Sequence, residues 1–274
     1  VVEIKEDGFK DFSRSDEERY ELYLAAWLHD CGKVATPPHV VDKGTKLETI
    51  FDRIELIKTR MELLKKDQEI AFLKRQLNGQ ANIEFDVQYK EAISELDSNM
   101  KFLEECNIGG EFMKPELQEK VRSIGAKKLN IFNREQPFLS EEEIQNLNIP
   151  KGTLLPDERE IINDHIVITI EMLEQLPYPK NLKNIPEFAG GHHEKMDGSG
   201  YPKGLNESQM STQAKIMAIA DIYEALTAAD RPYKEGKKLS QAMRIMGFMK
   251  NDYHIDEELF EIFVTSGVYK KYAN

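Results

Sequence analysis

The sequence contains little cysteine and no long apolar segment. Only two of its 274 residues are cysteines, Cys31 and Cys106, which is too few for a disulfide framework. No apolar run is long enough to cross a bilayer, and no charged-then-apolar signal peptide begins at Val1. These absences predict a reduced, cytoplasmic protein with no membrane segment in this chain.

Basic residues are outnumbered by acidic ones. The chain has 37 Lys and Arg against 49 Asp and Glu, a net charge of −12. Broad binding to a nucleic-acid polymer depends on cations that neutralise phosphates, so the composition argues against it. A small anionic substrate stays compatible with this charge, because metal ions and a few local cations can reverse the field inside one cleft.

The apolar pattern is helical throughout and predicts an all-α fold. Ser15 and Glu18 form a capping-box pattern that opens a helix, and Gly32 with Pro37-Pro38 ends it. We find no strand signal. Further helices are expected at about 115–124, 140–147, 157–176 and 211–229, with two more in the tail from Leu239.

A coiled-coil-like pattern occupies the segment from 46 to 105. Its apolar residues alternate steps of three and four, break near Gly79, and then resume. The pattern predicts an antiparallel helical hairpin that serves as a structural arm or forms a homodimer. The seam residues are Leu47, Ile50, Ile54, Ile57, Met61, Leu64, Gln68, Ala71, Phe85, Tyr89, Ala92, Leu96 and Leu103.

Six ionisable residues lie where side chains are expected to point inward, among them two in apolar, helix-period stretches (His165 and Asp221) and two at the end of an apolar helix (His29 and Asp30). Buried ionisable groups need partners, and one divalent metal cluster is the simplest partner for all of them. Imidazole and carboxylate suit Fe, Mn, Zn or Ni. The six residues are His29, Asp30, His165, His192, His193 and Asp221.

Three motifs around these residues resemble a known family, the HD-GYP phosphodiesterases of the HD superfamily. The first is Leu28–Lys33 (LHDCGK), and the second is His192–Pro202 (HHEKMDGSGYP). The third is Ile219–Thr227 (IADIYEALT), followed by Asp230–Tyr233 (DRPY). The resemblance covers about residues 16–45 and 150–266.

The resemblance implies an HD-domain helical bundle, formed by residues 1–45 and 150–274, with residues 46–149 as a helical insertion. It also implies two divalent metal ions, with Fe or Mn favoured and Ni or Zn possible. His29, Asp30 and Asp221 would hold one ion, with Asp30 bridging, and His165, His192 and His193 the second. Asp30 and Lys33 would be the catalytic residues. Lys33, Arg231 and Lys234 would contact substrate phosphate.

The activity implied by the resemblance is hydrolysis of a cyclic dinucleotide. Cyclic di-GMP is the first expectation and 3′,3′-cyclic GMP-AMP the second, because the motifs concern metals and phosphates but not bases. The product would be a linear dinucleotide or mononucleotides. Independently of the family, such hydrolysis needs a nucleophile at neutral pH, and a metal lowers the pKa of bound water from about 15.7 towards ~7.

Two other functions stay open from the sequence. One is a cyclic dinucleotide receptor or interaction module with weak turnover. We consider this function because the family usually supplies a further metal ligand from an upstream helix, whereas Val1–Phe12 has no histidine. We therefore expect an incomplete first metal site and a sensory domain upstream. The other is a nucleotide phosphohydrolase of the wider HD superfamily, against which the Gly200-Tyr201-Pro202 loop argues.

Three side chains near the motifs have less specific expectations. Glu194 and Asp197 are acids beside the predicted metals, where loop anchoring and proton transfer are both open. Trp27, two residues before His29, is expected in the core.

Overall fold

The computed structural model describes residues 15–79, 83–110, 112–132, 134–228 and 236–271. Within these ranges the fold is helical apart from one hairpin of two short strands, so the all-α prediction is confirmed. The helices are α1 (Asp16–Leu28), α2 (Pro38–Val41), α3 (Ile54–Leu77), α4 (Ile83–Ile108), α5 (Pro115–Gly125), α6 (Glu141–Leu147), α7 (Pro156–Asn163), α8 (His165–Glu174), α9 (Ile185–Gly190), α10 (Thr212–Thr227), α11 (Leu239–Asn251) and α12 (Glu257–Thr265).

The chain divides into two compact units, residues 38–158 and the remainder on either side of them. The predicted domain boundaries lie at 45/46 and 149/150, whereas the boundaries between the compact units lie at 37/38 and 158/159. Assigning the flanking unit to catalysis and the intervening one to an insertion remains a prediction. In the part of the chain that the structure describes, no helix is long and apolar enough to cross a membrane.

The flanking unit is built around α1, α8, α9 and α10. Ser15 caps α1 through the predicted capping box with Glu18. The buried Glu21 carboxylate accepts a hydrogen bond from the Asn184 backbone N–H at 2.7 Å, which ties α1 to the start of α9. The apolar residues that pack these helices together are Leu22, Ala25, Leu173, Ile185, Phe188, Ala189 and Met217.

The C-terminal helices of this unit pack on the other half of α10. Ser211 caps α10, as predicted, and its side chain accepts from the Ala214 N–H. Two amphipathic helices, α11 and α12, follow as expected. Their shared core contains Ile219, Tyr223, Met246, Ile255, Leu259 and Phe260.

The intervening unit contains the predicted hairpin, formed by α3 and α4. The seam is confirmed in part, since Ile57, Met61 and Leu103 are buried. Gln68 and Ala71, assigned to the same seam, are exposed. The expected start at 46 is wrong, because α3 begins at Ile54 and the Ile50 side chain is 97% exposed before it.

The prediction that the chain has no strands is wrong. β1 (Lys128–Ile131) and β2 (Arg134–Pro137) pair antiparallel, with Lys128 opposite Pro137. β2 is exposed at all four positions and has no apolar alternation that would reveal a strand. Only Leu129 of β1 is fully buried, so the sequence pattern of a half-buried sheet is missing.

Two helix-level expectations also need correction. The single helix expected over 157–176 is two helices, because the chain breaks at Asp164 between α7 and α8. Ile161 and Leu176, assigned to its buried face, are 41% and 48% exposed. Trp27 is 73% exposed and packs edge-on against Tyr23, so it is not a core residue.

Candidate metal centre

The six predicted ligands meet within the flanking unit, although they come from distant parts of the sequence. His29 is the C-cap of α1, and Asp30 is the next residue. His165 is the first residue of α8, and Asp221 lies within α10. His192 and His193 follow Gly191, the C-cap of α9.

The Asp30 carboxylate lies between two imidazoles. Its Oδ1 is 3.1 Å from Nε2 of His165, while its Oδ2 is 3.3 Å from Nε2 of His29. Each oxygen therefore faces a different histidine. This is the arrangement that a carboxylate bridging two metal ions needs.

Two groups of side chains have metal-ligand spacing. In the first, one ligand atom from each of His165, His192 and His193 lies within 4.8 Å of the others. In the second, the same holds for His29, Asp30 and His192. The first group matches the predicted second-metal site. The other group contains His192 in place of the expected Asp221, whose Oδ1 is nonetheless 3.5 Å from Nε2 of His29.

Three of the histidines share one local geometry that prepares them to bind a metal. Nδ1 of His29 donates to the Ala26 carbonyl at 2.7 Å, and Nδ1 of His192 donates to the Ala189 carbonyl at 2.6 Å. Nδ1 of His165 likewise donates to the carbonyl three residues earlier. Because a carbonyl only accepts, Nδ1 carries a proton in each of these rings, and Nε2 is the nitrogen that faces the site and can ligate.

These three carbonyls belong to the last turns of α7, α1 and α9, where helix carbonyls have no partner inside the helix. A histidine placed just beyond a helix end can therefore satisfy a carbonyl while its other nitrogen points away. The break at Asp164 gives His165 this position. A continuous helix over 157–176 would not place His165 just beyond a helix end.

Unpaired polar atoms at the centre indicate what it could hold. Among the described residues, the buried Nε2 of His192 makes no hydrogen bond, and the buried Oδ1 of Asp30 and Nε2 of His165 have no hydrogen-bond partner beyond their own 3.1 Å contact. Buried polar atoms without partners are costly and rare in folded proteins. Two imidazole lone pairs and a carboxylate oxygen form a donor set that fits a divalent ion.

The electrostatics of the centre separate its groups into charged and neutral ones. Burial alone would lower the pKa of His29, but Asp221 and Asp30 outweigh it and raise that pKa to about 10. Burial would likewise raise the pKa of Asp30, but its contacts with His165, His29 and Lys33 hold it well below its usual value.

The paired histidines after α9 are neutral at physiological pH. Burial lowers the pKa of His192. Burial and the neighbouring His192 lower the pKa of His193 to about 3. Neutral imidazole is the form that ligates metals, so both rings are in the form that binding requires.

Lys33 lies beside the Asp30 carboxylate. Its Nζ donates to Oδ2 of Asp30. The Lys33 side chain is 37% exposed, so it is accessible from solvent. The other predicted phosphate-binding cations, Arg231 and Lys234, lie outside the described residues.

The loop after His193 is held by Glu194, whose carboxylate is buried. Its two oxygens accept from the backbone N–H groups of Lys203 and Leu205 at 2.7 and 2.8 Å. This favours the anchoring role over proton transfer. Gly200 packs directly on the Glu194 backbone, and a Cβ there would lie 2.5 Å from the Glu194 Cα. The exposed Asp197 binds the Ser199 N–H within the same loop.

Tyr201 extends this loop over the metal centre. Its ring stacks on the His193 imidazole, with centroids 4.8 Å apart and planes 18° from parallel. Burial, together with Asp221 and Asp30, raises the pKa of Tyr201 to about 12, so its hydroxyl stays protonated. The sequence motif singled out this residue, but not its stacking on a candidate ligand.

Gly32 determines how closely the His29-Asp30 turn approaches α8. Its N–H donates to Oγ1 of Thr169 at 2.9 Å. A Cβ at Gly32 would lie 2.0 Å from the His165 carbonyl and 2.6 Å from the Thr169 nitrogen. The contact is backbone against backbone, so only glycine lets Asp30 reach His165. The sequence marked Gly32 as a helix stop, and its packing role was missed.

Comparisons with known proteins find similarity over part of the chain. Residues 141–259 match a family model described as the HD domain. A 3′3′-cGAMP-specific phosphodiesterase of Vibrio cholerae is 42% identical over 78 residues, which are 28% of this chain and 18% of that protein.

Two other curated relatives have similar names. A cyclic di-GMP phosphodiesterase of Thermotoga maritima is 41% identical over 93 residues, 34% of this chain and 25% of that protein. One of Pseudomonas aeruginosa is 43% identical over 79 residues, 28% of this chain and 18% of that protein. The matched segments therefore span a quarter or less of these three relatives.

Replacing Gly32 with alanine is expected to disturb both stability and the metal centre. The added Cβ overlaps backbone atoms of α8 that cannot rotate away, so the turn must shift. We expect a loss of about 3 kcal/mol in unfolding free energy, measured by urea titration. We also expect weaker Mn²⁺ binding, measured by calorimetry, because Asp30 moves away from His165.

Gly247→Ala is the matched control for this substitution. Gly247 lies inside α11, and a Cβ there would meet nothing within 4 Å. This change should stabilise the chain by about 1 kcal/mol and leave Mn²⁺ binding unaltered. Equal effects of the two substitutions would show that the close approach at Gly32 does not matter.

Proposed function

Since this chain contains an HD domain, we propose that it is a metal-dependent phosphodiesterase that hydrolyses a cyclic dinucleotide. The single observation that carries the proposal is the Asp30 carboxylate, whose two oxygens face the imidazoles of His29 and His165. The names of the similar proteins supply the substrate class.

The proposed cofactors are two divalent ions, with Fe or Mn favoured over Ni and Zn. His165, His192 and His193 would hold one ion. His29, Asp30 and Asp221 would hold the other, with Asp30 shared between the two. Divalent ions held there would activate a water molecule at neutral pH and stabilise charge on the phosphoryl oxygens.

The chain's own residues would orient and neutralise the substrate. Asp30 fixes the spacing of the centre, and the Nδ1 hydrogen bonds fix the orientation of the rings. Lys33 would turn its ammonium from Asp30 to a phosphate oxygen as the substrate enters, since it is close to the centre and part-exposed. Arg231 and Lys234 are proposed as further phosphate contacts from the sequence motif alone.

The proposed substrate is cyclic di-GMP, with 3′,3′-cyclic GMP-AMP as the alternative. The named relatives include enzymes for each. Both molecules present the same pair of phosphodiesters to the centre, so the metal ligands do not distinguish them. The product would be a linear dinucleotide or two mononucleotides.

Replacing Asp30 with alanine should abolish activity and metal binding together, because one carboxylate serves both ions. We expect kcat/KM for cyclic di-GMP to fall by roughly 10³-fold or more, measured by chromatography on anaerobically Mn- or Fe-loaded protein. Elemental analysis should show less than the wild-type metal content.

Asp252→Ala is the control, since Asp252 is an exposed carboxylate at the end of α11. It should retain both metal and turnover. Normal turnover in Asp30→Ala with full metal content would refute the bridging role. Cyclic dinucleotide binding without product in the loaded wild-type chain would favour the receptor function.

Metal binding is expected to release a proton from His29. Its pKa is raised to about 10, so the metal-free ring is protonated at pH 7.5 and must lose that proton before Nε2 can ligate. The apparent affinity should therefore fall as the pH is lowered from 10 towards 7. Titrating Mn²⁺ calorimetrically in buffers of different ionisation enthalpy counts the protons released.

His29→Gln is expected to lower the number of protons released on Mn²⁺ binding, because the His29 proton is no longer there. The control His254→Gln should release as many protons as the wild type. His192 and His193 contribute none, because their lowered pKa values leave them neutral at pH 7.5. A wild-type binding heat that does not depend on the buffer would contradict the role of His29.

We also propose that the α3–α4 hairpin forms a homodimer. Outside the buried seam, α3 carries a second apolar stripe at steps of seven residues. The stripe consists of Leu56, Leu63, Ile70 and Leu77, which are 48%, 44%, 48% and 87% exposed. Sustained seven-residue spacing is the pattern of a coiled-coil contact.

The charges beside this stripe fit a second copy of the same helix. Glu55, Glu62 and Glu69 flank it on one side, also at steps of seven. Lys74 follows Glu69 by five residues on the other side, and in a parallel pair of helices this spacing places these opposite charges across the contact. Asp67 follows Glu62 at the same spacing and adds no attraction there, and Arg60 is already bound to Glu143 and the Phe138 carbonyl.

Replacing Leu63 and Ile70 with glutamate should convert the dimer to a monomer, because it places charge in the apolar contact. Light scattering after size-exclusion chromatography gives the mass. The control replaces Gln88 and Ser94, exposed on α4, with glutamate. A monomeric wild-type chain at tens of micromolar would overturn the proposal.

A further inference from the structure

An open cavity of about 520 Å³ lies beside the His29, Asp30 and Asp221 side of the metal centre. Its volume falls within the range of small-molecule sites in proteins. These three candidate ligands are part of its lining, and the rest of the lining is mainly apolar. The other lining residues are Ala26, Met217, Ala220, Tyr223, Glu224, Phe263, Val268 and Tyr269.

Three aromatic side chains also line the cavity. Phe263 contacts Tyr269, with centroids 5.7 Å apart, and Tyr223 at 5.2 Å. The Tyr223 hydroxyl donates to the Tyr269 carbonyl at 3.0 Å, which holds the C-terminal turn against α10. An aromatic, apolar wall of this kind is suited to a flat nucleobase, which stacks on rings.

One lining carboxylate lies outside the predicted ligand set. Glu224 follows Asp221 by three residues on α10, so the two side chains share one face of that helix. Among the residues that the structure describes, no cation pairs with Glu224. An ionised carboxylate only accepts hydrogen bonds, so Glu224 offers two acceptors to whatever enters.

We propose that this cavity is a nucleobase subsite that selects guanine, and that Glu224 is its specificity-determining residue. The inference rests on the proposed function, because a phosphate at the metal centre would bring the attached nucleoside to the cavity. Guanine presents two adjacent donors, N1–H and the N2 amine, which match the two Glu224 oxygens. Adenine presents an N1 acceptor beside its N6 amine, so one carboxylate oxygen would face a lone pair.

This mismatch gives the expected direction of selectivity. A site built to accept two hydrogen bonds rejects a ligand that can supply only one, because a polar atom is then left unpaired. The metal centre alone contacts phosphate and gives no such preference. Guanine selection would therefore come from α10 and the aromatic wall.

The test measures binding of GMP, AMP and inorganic phosphate to the Mn²⁺-loaded chain by calorimetry. Wild-type protein should bind GMP about tenfold or more tightly than AMP. Glu224→Gln should abolish that preference, since an amide offers one acceptor and one donor. Glu171→Gln, an exposed acid on α8 that does not line the cavity, should preserve it.

A second variant tests the cavity without altering Glu224. Ala220 is exposed and lines the cavity, so Ala220→Phe should fill it. GMP affinity should then fall to that of inorganic phosphate, while phosphate affinity and Mn²⁺ content stay at wild-type values. Equal wild-type affinities for GMP and AMP, or a preference that survives Glu224→Gln, would overturn the proposal.

Turnover separates this inference from the function on which it rests. Guanine preference without hydrolysis of any cyclic dinucleotide would leave the subsite standing and refute the enzyme. Hydrolysis of cyclic di-GMP with no base preference in binding would support the enzyme and refute the subsite.

Discussion

The candidate centre depends on one contact, the placement of the Asp30 carboxylate between His29 and His165. These histidines lie at the ends of different helices, and a carboxylate is the only group here with two equivalent oxygens to face both. The contact is possible because Gly32 lets the turn after α1 meet the α8 backbone without a side chain between them. Ligand geometry is therefore set by main-chain packing.

A second constraint is shared by His29, His165 and His192. Each follows the last turn of a helix and donates Nδ1–H to a carbonyl that the helix leaves unpaired. One hydrogen bond thus satisfies the helix end, fixes the tautomer and aims Nε2 into the centre. The short helices of this unit, α7 and α9, supply such ends within a small volume.

The sequence predicted which side chains meet at the candidate centre better than it predicted their surroundings. The HD-GYP resemblance named all six side chains, and the comparisons confirm a similarity to cyclic dinucleotide phosphodiesterases. Helix-period patterns also gave α10, α11 and α12, because their buried faces are broad. The break before His165 was missed, since Ile161 and Ile162 continue the apolar period through Asp164. The outer stripe of α3 was missed because the buried seam accounted for the same helix, and β2 was missed because it has no apolar face.

The proposed function and the proposed base subsite would separate the recognition of phosphate from the recognition of a base. The metal ligands and Lys33 would respond to charge, and cyclic di-GMP and 3′,3′-cyclic GMP-AMP offer the same charge at the same spacing. Positional contacts of this kind bind without distinguishing bases. Discrimination requires a surface that meets the base edge, where donors and acceptors differ. Tyr223 and Glu224 follow Asp221 on α10, so under these proposals one helix would carry Asp221 for the phosphate end and Glu224 for the base. Replacing Glu224 would then alter substrate choice while the metal ligands stay the same. In this way related enzymes could share a metal centre and differ in substrate.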